Sequence, residues 1–449
     1  MNYDAAVRYL LALGRELAAP TQAAAAKFDL ENIQILNERL GRPDHGYPSI
    51  HIAGTNGKGS TAAFLESILQ HAGFRTGLNT SPHLEKINER MQINGEAISD
   101  EAFAETLTRV QAMIEDLLAT GKLRAHPTFF ECVTAMAFEY FGRERVDFGI
   151  FEVGLGGRLD ATNILGPVVS IITSIDFDHE NFLGHSIEQI AMEKAGIIKP
   201  GVPVVSAVRN PRASEVIRRR CDDLGARLVE VDKLFKIDAS VCHAVDGYYS
   251  FVAADALAKE SIDVRLSLAG KFQVQNALTA IAAARLLAEQ GYAINKSAIQ
   301  NGLAETRWPG RLEQLQSHPD VYLDGAHNPS AAKELAGFIE ENLPDRKIWL
   351  IYGALRDKAV DEIAGMLFPH AAEVVFTEPS TSRSISATQL AKMAAHHAKR
   401  FSIVPSAEQA LDQVLSDAAT DDVIFVTGSL YLVGQLRHHW KSRSQVAAR

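Results

Sequence analysis

The chain has 449 residues, with 45 Lys+Arg against 55 Asp+Glu and a formal net charge of −10 at pH 7. Apolar residues at 47% and charged residues at 22% are ordinary for a globular protein, and the acidic balance argues against an electrostatic grip on nucleic acid, which needs a basic face. Three cysteines (Cys132, Cys221, Cys242) show no CxxC spacing, so neither a disulfide framework nor a structural zinc site is expected, and a reducing compartment is.

Residues 1–20 read as an amphipathic helix interrupted by Asp4, Arg8, Arg15 and Glu16, not as a secretory signal. No uncharged apolar stretch is long enough to span a bilayer, so a cytoplasmic protein is expected. The short apolar run Ile50–Ala53 stops at GTNGKGS, and Thr61–Ala72 then has helical spacing, with Phe64, Leu65, Ile68 and Leu69 on one face. Helical patterns at Asp100–Ala119 and Phe129–Phe141 precede four buried-strand patterns, at 147–153, 168–175, 202–208 and 226–231. This alternation predicts a parallel α/β sheet covered by helices. Residues 232–268 lack helical periodicity and suggest an antiparallel hairpin on the sheet edge. An apolar helix follows at Asn276–Gln290, and the Pro-Gly pair in 307–314 marks a domain boundary. Strand patterns then restart at 321–324, 347–353, 372–378 and 422–428, a second α/β domain. It lacks a GxGxxG after its first strand, so nothing supports a nicotinamide cofactor. The expected division is 1–306 and 307–449.

The sharpest signal is the strand–loop–helix around Gly54. Glycines let backbone N–H groups converge on phosphate, and the helix N-terminus adds a favourable dipole. Thr55, Asn56, Gly57, Lys58, Gly59 and Ser60 are the candidate phosphate contacts, with Lys58 neutralising charge. By spacing alone either Ser60 or Thr61 could meet a metal. Glu152, ending an apolar run, fits a metal ligand or a water-positioning group. His179 follows another strand, beside Asp176, Asp178 and Glu180.

Taken together, GTNGKGS, TSPHL (80–84), FEVGLGGRLDATN (151–163), TSIDFDH (173–179), EKAGIIKPG (193–201), DGAHNP (324–329) and TGSLYLVG (427–434) resemble the folylpolyglutamate synthase/dihydrofolate synthase family, a branch of the Mur ligase superfamily. The motifs run in order over nearly the whole chain. The resemblance implies an N-terminal P-loop ATPase-type parallel sheet domain and a C-terminal Rossmann-like domain. It also implies an ATP-dependent ligase that adds L-glutamate to a folate, to dihydropteroate, or to both, through an acyl phosphate. Which acceptor is used, and to what chain length, the residues leave open.

For the site, the resemblance implies Mg²⁺ held by Ser60, and a further Mg²⁺ held by Ser81, Glu152 and His179, with K⁺ a further candidate cation. It implies that Lys194 is carbamylated, turning a cation into an anionic oxygen donor. Asn276, Arg311 and Asp324 match ATP contacts, Asp324 and His327 match catalytic groups, and Ser429 matches a serine near the glutamate site. Phe28, Asp29, Leu30, Arg90, Thr128, Phe130, Asp160 and Ala161 match the walls of a pterin pocket. The expected partners are small molecules, with no nucleic acid and no membrane, and a monomer is expected. Two rival readings fit less well. A cell-wall Mur ligase carries a further domain before GTNGK, for which 53 residues are too few. A GTP switch protein reads guanine with Asn-Lys-x-Asp, whereas Asn295-Lys296-Ser297-Ala298 lacks the aspartate.

Overall fold

The computed structural model describes residues 1–14, 29–237, 243–245, 248–256 and 259–447. Phe28 and Cys242 lie outside them, as do residues 15–20 of the expected N-terminal helix; the helix itself ends at Ala12, with Leu13 as its C-cap. The chain forms two compact units: Met1–His83, Ile87–Ser267 and Gln273–Thr306 in the first, and Leu84–Lys86, Leu268–Phe272 and Arg307–Arg449 in the second.

The first unit is built on eight strands: β1 Ser49–Ala53, β2 Thr76–Asn79, β3 Met91–Ile93, β4 Glu96–Ala97, β5 Phe148–Glu152, β6 Val169–Ile172, β7 Val204–Ser206 and β8 Leu228–Glu230. Their order is β4-β3-β2-β5-β1-β6-β7-β8; β2 through β8 pair in parallel, and β3 and β4 add an antiparallel edge. β1 and β5 are buried along their whole length, as parallel strands covered on both faces must be. One face packs Phe103, Phe138, Phe141 and Phe151 under helices Tyr3–Ala12, Glu31–Arg39, Asp100–Ala119 and Phe129–Arg143. Further along that same face Ile172, Ile190, Ile197, Val204 and Ile217 pack under helices Ile187–Ala195 and Pro211–Asp223.

Two expectations need correction. Residues 232–268 do not extend the large sheet. Strands β9 Phe235–Ile237, β10 His243–Val245, β11 Tyr248–Asp255 and β12 Glu260–Leu266 form a separate antiparallel sheet. Alternation along β12 buries every second residue (Ile262, Val264, Leu266), so it marks a face without naming which sheet the strand joins. The expected strand 168–175 ends at Ile172, because the next residues leave the ladder to bind the loop after β1.

The second unit carries six strands: β13 Glu313–Gln316, β14 Asp320–Leu323, β15 Ile348–Tyr352, β16 Glu373–Glu378, β17 Phe401–Ser406 and β18 Val423–Thr427. The order is β13-β14-β18-β15-β16-β17, parallel except for β13 at one edge. No helix among the described residues is long and apolar enough to cross a membrane.

Candidate active site

In the first unit the chemistry-bearing residues sit at the carboxyl ends of four neighbouring strands. Ser81 follows β2, Glu152 ends β5, the phosphate loop follows β1, and His179 follows β6. That edge of an open parallel sheet is where such folds bind ligands. Helix Lys58–His71 begins directly after Gly57, which has φ +85° and stands so close to Asn276 that any Cβ would run into the Asn276 amide. Only glycine meets both conditions at no steric cost.

The loop is held from outside. Thr55 N–H donates to Ser174 O (2.7 Å), and Thr55 Oγ1 donates to Asp176 O (3.0 Å). Asn56 N–H donates to Ser174 Oγ (3.0 Å), and Thr173 Oγ1 donates to Asn56 O (2.8 Å). Thr55 and Asn56 therefore brace the loop's shape through the segment after β6. Lys58 Nζ donates to Gly54 O and Thr55 O, both at 3.2 Å. Buried Lys194, on helix Ile187–Ala195, donates to the same Gly54 O at 2.8 Å. Two ammonium groups thus converge on one carbonyl. Burial, with repulsion from Lys58, pulls Lys194 down to about 7, against the opposing pull of Asp178.

Buried Glu152 accepts a hydrogen bond from Ser81 N–H (3.1 Å), so these two expected ligands are adjacent. His179 has a left-handed φ of +52°, with its N–H on Asp178 Oδ1 (2.9 Å). Such strained backbone at a non-glycine residue clusters at functional sites. Ser60 Oγ accepts from Gln273 Nε2 (3.3 Å), and Gln273 Oε1 accepts from Asn276 Nδ2 (2.9 Å). Thr61 Oγ1 is buried without a partner among the described residues. Gln273 escaped the sequence reading; its only signal is its place one helical turn before Asn276.

The expected pterin wall is partly assembled. Phe130 lies against Gly154, beside Asp160. Arg90 Nε donates to His83 Nδ1 (2.9 Å), with the guanidinium 5.3 Å from the Phe129 ring centre. Ala161 is buried, opening a short 3₁₀ turn. Thr128 is the N-cap of helix Phe129–Arg143, its hydroxyl engaged with Glu131. Asp29 is exposed and accepts from Glu31 N–H (3.1 Å), while Leu30 packs on the core.

Asp160 itself is heavily used by the chain. Oδ2 accepts from Gly154 N–H (2.9 Å) and Leu155 N–H (3.0 Å); Oδ1 accepts from Thr162 N–H (3.0 Å) and Thr162 Oγ1 (2.5 Å). Four donors fill the roughly four lone-pair sites of a carboxylate, so Asp160 holds the glycine-rich turn in shape. Behind it stands His51, in the middle of β1. Its Nε2 lies 2.7 Å from Thr162 Oγ1, whose proton is committed to Asp160. Nε2 therefore carries the ring proton, and Nδ1 is buried without a partner among the described residues. His51 was hidden in the sequence because it sits inside an apolar run.

Burial and the nearby Lys199 charge pull His51 down to about 3. The unfolded chain takes up this proton near its ordinary value of 6.5, and the folded chain does not until about 3. Stability is therefore lost as pH falls through that window. His51→Gln, which keeps a donor and cannot titrate, should remove this loss. Between about pH 6.5 and pH 4 the parent should lose roughly 3 kcal/mol more than the variant, read by denaturant unfolding at both values. Parallel losses would show that His51 titrates normally.

In the second unit, Asp324 directly follows β14, and Ser429 follows the adjacent β18. Asp324 accepts from Leu312 N–H and Ala326 N–H, both at 2.9 Å; burial raises its pKa against the pull of Arg311. Arg311 Nη1 donates to Gly310 O (3.0 Å). His327 Nδ1 donates to Gly325 O (2.7 Å), since a carbonyl only accepts, which makes Nε2 the basic nitrogen. Ser429 is buried and accepts from Tyr431 N–H (3.2 Å).

Residues 52–284 match the family described as the Mur ligase middle domain, and residues 310–430 match the Mur ligase, glutamate ligase domain. The dihydrofolate synthase/folylpolyglutamate synthase of Bacillus subtilis (strain 168) is 38% identical over 414 residues, covering 92% of this chain and 95% of that protein. The Mycobacterium tuberculosis folylpolyglutamate synthase complexed with ADP superposes with a TM-score of 0.87 at 31% identity, covering 98% of each chain. Escherichia coli FolC in complex with DHPP and ADP superposes with a TM-score of 0.86 at 29% identity, covering 99% of each.

Proposed function

Because the chain belongs to the folylpolyglutamate synthase/dihydrofolate synthase branch of the Mur ligase family, and is an ATP-dependent ligase adding L-glutamate to a folate, to dihydropteroate, or to both, we propose how its own residues divide that reaction. The observation that carries the assignment is the convergence of Lys58 and buried Lys194 on Gly54 O, at the strand edge that also holds Glu152 and Ser81.

A carboxylate is a poor electrophile. The acceptor carboxylate oxygen attacks the γ-phosphorus of ATP, and the bond to the ADP oxygen breaks. The resulting acyl phosphate is attacked at its carbonyl carbon by the neutral amine of L-glutamate. The tetrahedral adduct then expels inorganic phosphate, leaving the amide. Lys58 neutralises the charge that grows on the transferring phosphoryl group, and the phosphate loop fixes its position. The pterin stacks on Phe130, with Ala161 and Arg90 beside it. Asp160 shapes this wall from behind. In the second unit, Arg311 and Asp324 serve ATP, and Ser429 and His327 serve L-glutamate, whose surplus ammonium proton goes to His327 Nε2. Residues 1–306 and 307–449 are the working division of labour, in a cytoplasmic monomer acting on small molecules.

The donor set fits Mg²⁺. Glu152 and Ser81 are adjacent oxygen donors, and the Ser60 hydroxyl, bonded as an acceptor by Gln273, keeps a second lone pair. Ser60 would hold one ion, and Ser81, Glu152 and His179 another. When bound, Mg²⁺ supplies electrostatic stabilisation of phosphate charge. Glu152→Gln and His179→Ala should each raise the Mg²⁺ concentration for half-maximal rate by about tenfold or more. Titration curves that overlay the parent's would remove both residues from the metal site. The overall reading is tested by labelled L-glutamate incorporation with dihydropteroate and with tetrahydrofolate. ATP-dependent incorporation into at least one is expected, and incorporation into neither overturns it.

A further inference from the structure

The second unit gathers a side-chain cluster that the ligase reaction does not use. Helix Val360–Leu367 carries Asp361 in its first turn, and the 3₁₀ turn Ala395–His397 carries two consecutive histidines. His396 Nε2 lies 3.3 Å from Asp361 Oδ1, and His397 Nε2 lies 3.0 Å from the same oxygen. The three atoms fall within 4.8 Å of one another. The imidazole rings stand 4.0 Å apart.

We propose that Asp361, His396 and His397 form a binding site for a transition-metal dication of the Zn²⁺ type. Two imidazoles and one carboxylate are the donors such ions prefer, whereas Mg²⁺ prefers oxygen alone. The spacing fits as well. Tetrahedral bonds of about 2.0–2.1 Å put neighbouring ligand atoms about 3.3 Å apart, close to the separations from Asp361 Oδ1. The Asp361 and His396 side chains are 67% and 62% exposed, so an ion reaches the site from solvent and water completes its coordination. His397 Nε2 donates to Asp361 Oδ1, so metal binding requires the ring proton to pass through water from Nε2 to Nδ1; a neutral imidazole then binds through Nε2 with no net proton released. The bound ion clamps the start of helix Val360–Leu367 to the turn that ends helix Ala387–Ala394.

The test uses the full chain without an affinity tag, equilibrated with Zn²⁺ in the presence of excess Mg²⁺ and ATP. The parent should bind one equivalent more than Asp361→Asn and one more than His397→Ala, with His396→Ala weakened at least tenfold. In the parent, Zn²⁺ at a hundredfold excess over its Kd should raise the Tm by about 5 °C, and the variants should not show this rise. All three variants should keep the parent's Mg²⁺-supported ligase rate, which separates this site from the ligase site. Equal Zn²⁺ stoichiometry in parent and variants would overturn the proposal and leave the cluster as hydrogen-bonded surface histidines. A folding defect in one variant is recognised by far-UV circular dichroism, and the other two then decide.

Discussion

Lys58→Ala is expected to reduce the ligase rate by about 10²–10³ while leaving the fold intact. Lys58 opens helix Lys58–His71, where alanine is a better helix former, and its Nζ contacts are two carbonyls of its own loop. Little native packing is lost. The loss falls instead on the transition state, where removing one preorganised donor to developing charge costs on the order of 3–4 kcal/mol. The measurement is kcat with a pterin acceptor, alongside a thermal melt. A variant that melts normally and turns over within about threefold of the parent would show that Lys58 only braces its loop.

Lys194 gives the second large effect, by a different route. A bare ammonium beside Lys58, at the strand edge proposed to hold Mg²⁺, has the wrong sign. Its pKa of about 7 means that the neutral amine, the form that reacts with CO₂, makes up about half the population at neutral pH and grows as pH rises through that value. We propose that Lys194 is carbamylated, which would reverse its charge and supply two oxygens. Lys194→Met, which keeps most of the volume, should therefore lose at least 10²-fold in kcat, because a buried anionic donor disappears. Acetate or formate at high concentration should restore part of the rate. After ¹³CO₂ exposure the parent should show a carbamate ¹³C resonance that the variant lacks. Reactivation of CO₂-depleted enzyme by bicarbonate should rise with a midpoint near 7, where an ordinary lysine would titrate near 10.5. An active Lys194→Met, or an active parent with no carbamate resonance in bicarbonate, would leave Lys194 as a buried donor to Gly54.

Much of this was legible because it depends on local chemistry. A phosphate loop needs glycines at fixed steps, so residues 54–60 announce the strand before them and the helix after. Helices Asp100–Ala119 and Phe129–Arg143 were readable from their apolar spacing and begin at Ser99 and Thr128, each capping with its side chain. Strand β2, TGLN, was not readable. It has one bulky apolar residue, and its Gly77 serves a distant need, since a Cβ there would press on the Phe141 ring at 2.7 Å. The β3–β4 hairpin did leave a signal that went unused: Asn94-Gly95, both with positive φ, is the favoured two-residue turn. His51, Thr162 and Asp160 are a different case. Their link joins residues more than a hundred positions apart, and no local pattern marks a histidine in an apolar run as the donor behind a glycine-rich turn.

The central claim, ligation through an acyl phosphate, is tested most directly by following oxygen. The pterin acceptor is prepared with ¹⁸O in its reacting carboxylate and incubated with Mg²⁺, ATP and L-glutamate. The inorganic phosphate is then analysed by mass. One ¹⁸O should appear in phosphate for each amide formed, because the carboxylate oxygen that attacks the γ-phosphorus departs with it. Amide formed with unlabelled phosphate, or phosphate released without L-glutamate incorporation, would contradict the account.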